Sequence, residues 1–253
     1  MDEALFSLRG RVAVVTGASR GIGSSLASAL AHAGAAIALL GRDERSLAEL
    51  HAALAARGCS VMHVTADVGV KSSIDAAFEH IVRSMPRLDI LINNAGVEQS
   101  CPSLEVSEAL WDRIVDTNLK GAFFCAQAAA RHMPNGGSVI NVCSLTSEVG
   151  VAGAAPYGAS KSGLAGLTRT LATEWAPKGI RVNGIGPGYF RTALTESFYL
   201  DEQWQHEMLA KIPLRRFGRL DDLGGAAVFL SSEAAAYITG QILYVDGGYM
   251  AAL

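Results

Sequence analysis

The 253-residue sequence has few cysteines, no long run of one charge and no long apolar run. Its four cysteines are far apart and form no Cys-x-x-Cys pair, so neither a disulfide framework nor a metal site is expected. The formal net charge of −3 and the lack of a basic run argue against nucleic acid or a membrane surface as partners. With no membrane-spanning segment and no signal-peptide pattern, we expect a cytoplasmic protein with reduced thiols that acts on a small molecule.

Half of the residues are hydrophobic, which is enough to bury one large core, so residues 1–253 are predicted to form a single domain. Short apolar runs alternate with longer amphipathic ones, a pattern typical of an α/β fold whose parallel sheet has helices on both faces. Seven strands are predicted, at residues 12–16, 37–40, 61–65, 90–93, 138–142, 181–185 and 241–245. Helices are predicted at residues 21–33, 44–56, 72–85, 107–133, 156–175 and 220–230, with an irregular helical stretch at 192–210. The long aromatic and apolar insertion at 192–219 is predicted to be a lid.

The stretch "VAVVTGASRGIG" joins the first predicted strand to the first helix through Gly17, Gly21 and Gly23. Glycines permit a tight turn and a close approach of the backbone to a pyrophosphate, whose charge is stabilised by the free amides of the helix N-terminus. The spacing is TGxxxGxG rather than GxGxxG, and tight turns also use glycine for steric reasons alone. The position between the first strand and the first helix nevertheless favours a dinucleotide site.

The stretch "APYGASKSG" places Tyr157 and Lys161 one turn apart on a predicted helix, so both side chains lie on one face. An isolated tyrosine ionises near pH ~10, too high for proton transfer at neutral pH. A neighbouring ammonium stabilises the phenolate, and so would a positively charged ring of a bound dinucleotide, so the pKa of Tyr157 is expected to fall. The alternative, a core tyrosine with a satisfied hydroxyl, is less well supported here because the neighbouring residues are small.

Seven motifs occur in an order that resembles the short-chain dehydrogenase/reductase family over nearly the whole chain. They are "TGASRGIG" from Thr16, "AD" ending at Asp67, "NNAG" at 93–96, Asn118, Ser144, "YGASK" ending at Lys161 and "GPGYFRT" from Gly186. The resemblance implies a Rossmann-like doubly wound sheet of strand order 3-2-1-4-5-6-7. It also implies an NAD- or NADP-dependent enzyme, usually a homotetramer.

The resemblance also implies roles for individual residues. Asn118, Ser144, Tyr157 and Lys161 would be the catalytic set, with Ser144 and Tyr157 holding the substrate oxygen and Lys161 also holding the nicotinamide ribose. The implied cofactor-binding set is Gly17, Ser19, Arg20, Gly21, Ile22, Gly23, Arg42, Asp67, Val68, Asn94, Ala95, Gly96, Tyr157, Lys161, Pro187, Gly188 and Thr192. Within it, Asp67 would meet the adenine and Pro187, Gly188 and Thr192 the nicotinamide.

The end of the second strand, "LLGRDERSL", bears on the choice of cofactor. The acid that selects NAD in this family would fall at Gly41, which has no acceptor, and Arg42 follows it. Arg42 and Arg20 are expected to pair with the 2′-phosphate of NADP(H), since a guanidinium group can donate two parallel hydrogen bonds to one phosphate. Asp43 leaves NAD(H) open as the alternative.

Finer stretches, including "INVCSLTSEVG" and "GPGYFRTALTE", resemble the gluconate 5-dehydrogenase branch of the family. The resemblance implies gluconate and 5-ketogluconate, or a related polyol acid, as substrates, and Glu148 is a candidate acceptor for their hydroxyls. The loop after "NNAG" departs from that branch, because it carries Glu98 where the branch tends to have a basic residue. Arg191 or Lys211 would then have to bind the substrate carboxylate. The alternatives are a 3-oxoacyl-thioester reductase and a nonenzymatic NADP-binding regulator.

Overall fold

One sheet of seven parallel strands forms the centre of the protein. A computed structural model describes residues 3–85, 87–193, 195–196 and 198–252. The strands are β1 (Val12–Thr16), β2 (Ala36–Gly41), β3 (Val61–Thr65), β4 (Ile90–Asn93), β5 (Gly137–Val142), β6 (Ile180–Pro187) and β7 (Ile242–Val245). Their order in the sheet is β3-β2-β1-β4-β5-β6-β7, which confirms the expected fold class.

Helices cover both faces of this sheet. They are α1 (Gly21–His32), α2 (Glu44–Ala55), α3 (Lys71–Ser84), α4 (Glu108–Val115), α5 (Gly121–Arg131), α6 (Ala155–Trp175), α7 (Glu202–Lys211) and α8 (Asp221–Ser231). One core lies between the sheet and α1, α2 and α8, and a second lies between the sheet and α3, α5 and α6. No helix among the described residues is both long enough and apolar enough to cross a bilayer.

Strand β1 shows why the strands occur in the sequence as continuous apolar runs. All five of its residues are buried. Val12 and Val14 pack into the core under α3, α5 and α6, whereas Ala13 and Val15 pack into the core under α1, α2 and α8. Because successive side chains point to opposite faces, a strand covered on both sides is apolar at nearly every position; the exception in β1 is Thr16, whose hydroxyl is hydrogen-bonded to the backbone at the end of β4.

Two helix predictions differ from the structure. The predicted helix 107–133 is divided by a π-helical turn at Asp116–Lys120, which separates α4 from α5. Gly121 follows that turn, and a Cβ there would lie 2.4 Å from the carbonyl oxygen of Val68, so the chain approaches the loop after β3 closely.

The predicted irregular helix 192–210 is too long. Helix α7 begins at Glu202, where Asp201 caps it by accepting a hydrogen bond from the Trp204 N–H at 3.0 Å. Leu194 and Ser197, which also fall in the predicted lid, lie outside the described residues.

The four cysteines are free. Burial raises the pKa of the Cys125 thiol to about 12 and that of the Cys143 thiol to about 11, so both are protonated at neutral pH.

Asp89 joins three strands at the amino edge of the sheet. Its buried carboxylate accepts a hydrogen bond from the Val12 N–H at 2.8 Å and from Arg87 Nε at 2.9 Å. Its backbone N–H donates to the Val12 carbonyl at 3.0 Å, and its carbonyl accepts from the Ser138 N–H at 2.8 Å. The start of β1, the start of β4 and the start of β5 are therefore held by one residue.

Replacing Asp89 by alanine is expected to lower the free energy of unfolding by about 3 kcal/mol, since it leaves the Val12 amide unpaired and removes the partner of Arg87. Urea denaturation measures the change. The matched control is Asp75→Ala, which removes an exposed carboxylate paired with Lys71 at 2.6 Å and should cost less than about 0.5 kcal/mol. Equal losses in the two variants would show that Asp89 has no special role in stability.

Candidate active site

The loop between β1 and α1 is shaped by glycines. Gly17 and Gly21 adopt left-handed backbone conformations, with φ of 64° and 58°. A Cβ at Gly17 would lie 2.8 Å from the Cα of Ala95, and one at Gly23 would lie 2.2 Å from the carbonyl oxygen of Gly17. Only glycine fits at these places, because each is in contact with backbone atoms.

The N-terminus of α1 is free to bind an anion. Arg20 is the N-cap residue, and its side chain makes no capping hydrogen bond. The first turn of α1 contains no acidic residue. The first amide groups of the helix and the positive end of its dipole therefore remain available to a phosphate group.

The "NNAG" segment supports this loop from the neighbouring strand. The Asn94 side-chain amide donates to the carbonyl oxygens of Thr16 and Gly17, at 3.0 and 3.1 Å. The Thr16 hydroxyl accepts from the backbone N–H groups of Asn94 and Ala95, both at 3.0 Å. Asn93 is buried deeper, where its amide donates to Asn141 Oδ1 at 3.0 Å. The segment thus ties the end of β4 to the glycine loop.

A cleft of about 620 Å³ opens at the carboxyl edge of the sheet, next to the glycine loop. Every residue of the predicted cofactor-binding set, including Tyr157, lines it, and so does Ser144. The segment after β6 contributes Tyr189, Tyr199 and Trp204 to its wall. This is the place where open parallel sheets bind ligands, because the loops after the strands diverge there.

Tyr157 and Lys161 lie side by side on α6, at the cleft. The Lys161 ammonium is 5.6 Å from the centre of the Tyr157 ring and donates to the Val142 carbonyl at 2.7 Å. The Ser144 hydroxyl lies near the Tyr157 phenol and acts to lower the pKa of that phenol. The Ser144 oxygen accepts from the Thr146 N–H at 3.2 Å, which fixes the turn after β5. One hydroxyl, one phenol and one ammonium thus meet at a single point of the cleft.

Asn118 lies behind this point, in the π-helical turn, and is buried. Its oxygen accepts from the Val97 N–H at 2.8 Å, and its amide donates to the Val97 carbonyl at 2.9 Å. The same amide donates to the Ser160 hydroxyl at 3.1 Å. Asn118 therefore connects the loop after β4 to the helix that carries Tyr157 and Lys161.

Burial controls the protonation of the two α6 side chains. It raises the pKa of Tyr157, and the negative charge of Glu98 raises it further, while the Ser144 hydroxyl acts in the opposite direction. Burial lowers the pKa of Lys161, against the opposing effects of Cys143 and Glu98. The expected lowering of the Tyr157 pKa is thus not a property of the protein by itself, because desolvation is the larger effect and the ammonium is bonded to Val142.

At the far end of the cleft, Arg20, Arg42 and Asp67 surround the tip of β2. Arg42 approaches Asp67 at 3.9 Å, and both side chains remain largely accessible. Asp43 caps α2, since its carboxylate accepts from the Ser46 N–H at 3.2 Å and from the Ser46 hydroxyl at 2.9 Å. These bonds lower the pKa of the Asp43 carboxyl and use one acceptor position on each of its oxygens.

Comparison with known proteins decides the family. The model of the family described as Enoyl-(Acyl carrier protein) reductase matches residues 17–250. A putative short-chain alcohol dehydrogenase from Sinorhizobium meliloti 1021 is 57% identical, with a TM-score of 0.96 over 98% of this chain and 100% of that chain. This chain belongs to the short-chain dehydrogenase/reductase family.

Two further relatives place the chain within the short-chain dehydrogenases/reductases. A gluconate 5-dehydrogenase from Gluconobacter oxydans is 43% identical over 251 residues, which are 98% of each chain. The structure of a gluconate 5-dehydrogenase from Burkholderia cenocepacia J2315, in complex with NADP and tartrate, is 38% identical, with a TM-score of 0.97 over 100% of both chains. The resemblance to this family and to its gluconate 5-dehydrogenase branch is confirmed.

Not every residue proposed for the substrate lies at the cleft of this short-chain dehydrogenase/reductase. Glu148 does not line it; the side chain pairs with Arg169 at 3.3 Å, because the 3₁₀ turn Leu145–Ser147 carries the chain away from Ser144. Arg191, considered for the substrate carboxylate, pairs with Glu196 at 2.5 Å.

Tyr189, Tyr199 and Trp204 form an aromatic wall of the cleft. Tyr199 and Trp204 belong to the segment 192–219, whose aromatic content predicted a lid, whereas Tyr189 had no predicted role. Tyr199 and Trp204 meet edge to face, with ring centres 5.2 Å apart, and Tyr189 meets Trp204 at 5.7 Å. Edge-to-face packing of this kind favours one fixed arrangement of the rings. The wall of the cleft is thus built partly from the segment predicted to be a lid.

Substituting Gly23→Ala is expected to abolish nucleotide binding and to destabilise the protein, because the new Cβ would meet the Gly17 carbonyl and the Asn94 amide. Thermal unfolding and titration with NADPH, followed by its fluorescence, measure both effects. The control is Gly166→Ala in α6, where no atom lies within 4 Å of the new Cβ. That variant should bind normally and gain up to about 1 kcal/mol of stability. A Gly23→Ala protein that binds NADPH like the control would refute the proposed role of the glycine loop.

Proposed function

We propose that this protein is an NADP(H)-dependent oxidoreductase that interconverts a secondary alcohol and a ketone of a polyhydroxy acid, with gluconate and 5-ketogluconate as the leading pair. The observation that carries the proposal is the meeting of Ser144, Tyr157 and Lys161 at a cleft that begins at the glycine loop. The similarity to two gluconate 5-dehydrogenases supports the substrate class.

The residues at the cleft fit NADP(H). A pyrophosphate would lie against the glycine loop, where no side chain fills the space and the amides of α1 are free. Arg20 and Arg42 would bind the 2′-phosphate beside Gly41. Asp43, which would be needed for the ribose hydroxyls of NAD(H), is engaged with Ser46. NADP(H) is therefore favoured over NAD(H).

Each member of the catalytic set has a distinct task in this proposal. When bound, oxidised NADP supplies the hydride acceptor and a positive charge near the phenol. Tyr157 takes the proton of the substrate alcohol and returns it in the reverse reaction. Ser144 holds the substrate oxygen, on which negative charge develops. Lys161 compensates the negative charge of the phenolate and holds the ribose, and Asn118 fixes the loop that faces them.

The segment 192–219 is proposed to act as the lid. Thr192, Ala193, Thr195, Tyr199 and Trp204 line the cleft, so the segment already forms part of the wall. A cover of this kind excludes water and strengthens the electrostatic interactions inside.

We also propose that the protein is a cytoplasmic homotetramer formed by a single domain. The family resemblance supports this assembly, and Trp111 on α4, which is 42% exposed, provides apolar surface for a partner subunit.

A second candidate activity is the reduction of 3-oxoacyl thioesters. The description of the matching family model names an acyl carrier protein, which favours this candidate. The polyhydroxy acid is preferred because gluconate 5-dehydrogenases match the chain over almost its full length. A nonenzymatic regulator is disfavoured by the presence of all four catalytic side chains.

Arg42→Ala is expected to raise the KM for NADPH by about 10- to 100-fold, the equivalent of one lost charge-assisted hydrogen bond, and to change the KM for NADH by less than about threefold. Steady-state kinetics with each cofactor gives the ratio. Arg45→Ala is the control, because Arg45 lies on the outer face of α2 and pairs with Glu49 at 3.0 Å. Equal changes for NADPH and NADH would contradict the assignment of the 2′-phosphate site.

Tyr157→Phe is expected to lower kcat by about 10²- to 10⁴-fold, since the proton-transfer group is lost, while NADPH still binds. Absorbance of NADPH is followed with 5-ketogluconate, neutral ketoses and 3-oxoacyl thioesters as substrates. The matched control is Tyr237→Phe, because Tyr237 is fully exposed. Full activity in Tyr157→Phe would refute the mechanism, and turnover of thioesters alone would favour the second candidate.

A further inference from the structure

Glu98 is a carboxylate at the reactive part of the cleft with no role in the proposed chemistry. It follows the "NNAG" segment and lines the cleft together with Ser144, Tyr157 and Lys161. Its charge acts on both Tyr157 and Lys161, which places it close to the point where the substrate reacts. Among the residues that the structure describes, its carboxylate has no hydrogen bond and no ion pair.

The residues on both sides of Glu98 are each bound by another part of the protein, Val97 through its backbone and Gln99 through its side chain. Val97 is bound through its N–H and its carbonyl by Asn118, at 2.8 and 2.9 Å. The side chain of Gln99 accepts from Arg113 at 2.5 Å. Glu98 is thus presented to the cleft from a fixed loop, an arrangement that suits recognition of a ligand.

An ionised carboxylate that is partly buried and unpaired lacks the hydrogen bonds that water would supply. Burial accordingly raises the pKa of the Glu98 carboxyl, although the Lys161 ammonium acts against this. A carboxylate has two oxygens and accepts only, so the ligands that satisfy it carry O–H or N–H donors. Two neighbouring hydroxyls would fit, whereas a second carboxylate at the same point would be repelled.

Tyr199 gives a second, independent indication of a polar ligand. Only 5% of this side chain is exposed, and its hydroxyl is buried with no hydrogen-bond partner among the described residues. Burial raises the pKa of this phenol to about 12, so it remains a donor at neutral pH. The wall of the cleft therefore includes Glu98, which has an unpaired acceptor, and Tyr199, which has an unpaired donor, and such a wall suits a substrate with several hydroxyls better than an apolar one.

We propose that Glu98 determines the specificity of this cleft: it accepts hydrogen bonds from the hydroxyls beside the reacting carbon and excludes substrates that carry an anionic group at that position. The inference rests on the proposed function. In 5-ketogluconate the carbons on both sides of the ketone carry hydroxyls, and the carboxylate is at the other end of the chain. In 2-ketogluconate the carboxylate is bonded directly to the reacting carbon. Glu98 thus favours the former and opposes the latter.

The test compares wild type, Glu98→Gln and Glu98→Ala with 5-ketogluconate and with 2-ketogluconate, using NADPH as reductant. The KM for 5-ketogluconate should rise by about tenfold or more in Glu98→Ala, with a smaller rise in Glu98→Gln, which keeps one acceptor oxygen. The kcat/KM for 2-ketogluconate should rise in both variants, because the repulsion is removed. A merely structural role would lower activity on both substrates together.

The control is Glu105→Gln, which removes an exposed carboxylate on the same connection, away from the cleft. NADPH binding by fluorescence checks that each variant is folded. If wild type reduces 5-ketogluconate but the preference between the two keto acids is unchanged in both Glu98 variants, this inference is overturned and the proposed function stands. If wild type reduces neither keto acid, the proposed substrate is wrong and the inference falls with it.

Discussion

The three hydrogen bonds of the Asn118 side chain hold the active region together. Two of them go to Val97, and the third goes to Ser160 on α6. A buried amide whose donors and acceptor are all used gives a rigid connection, because breaking any one bond leaves a polar group unpaired in the interior. The loop after β4, with Glu98, is in this way kept in register with the helix that carries Tyr157 and Lys161.

The main features of the fold could be predicted from the sequence because the strands are covered on both faces. Burial at every position makes runs such as β1 unmistakable, and the observed strand limits differ little from the predicted ones. The break between α4 and α5 could not be predicted in the same way. It lies where Gly121 approaches the Val68 carbonyl, which brings together residues far apart in the sequence. Local helical periodicity carries no information about such a contact.

The candidate site, like the fold, could be predicted from the sequence only in part. Residues that act through motifs at the ends of strands converge on one cleft, because the carboxyl ends of parallel strands share one edge. Glu148 does not join them: its distance from Ser144 in the sequence is short, but the direction of the intervening turn decides where it points. The pKa of Tyr157 in the protein alone could not be predicted either, since the spacing of Tyr157 and Lys161 indicates proximity but carries no information about desolvation.

Asp89 works at the edge of the sheet opposite the cleft, where it joins the first residues of three strands. The strands are thus anchored at one end and carry chemistry at the other. Loop residues at the reactive end, such as Glu98, can therefore be replaced without disturbing the anchor that defines the architecture. Because the residue that stabilises the sheet lies far from the residues that contact the substrate, substrate specificity can change while the fold keeps its stability.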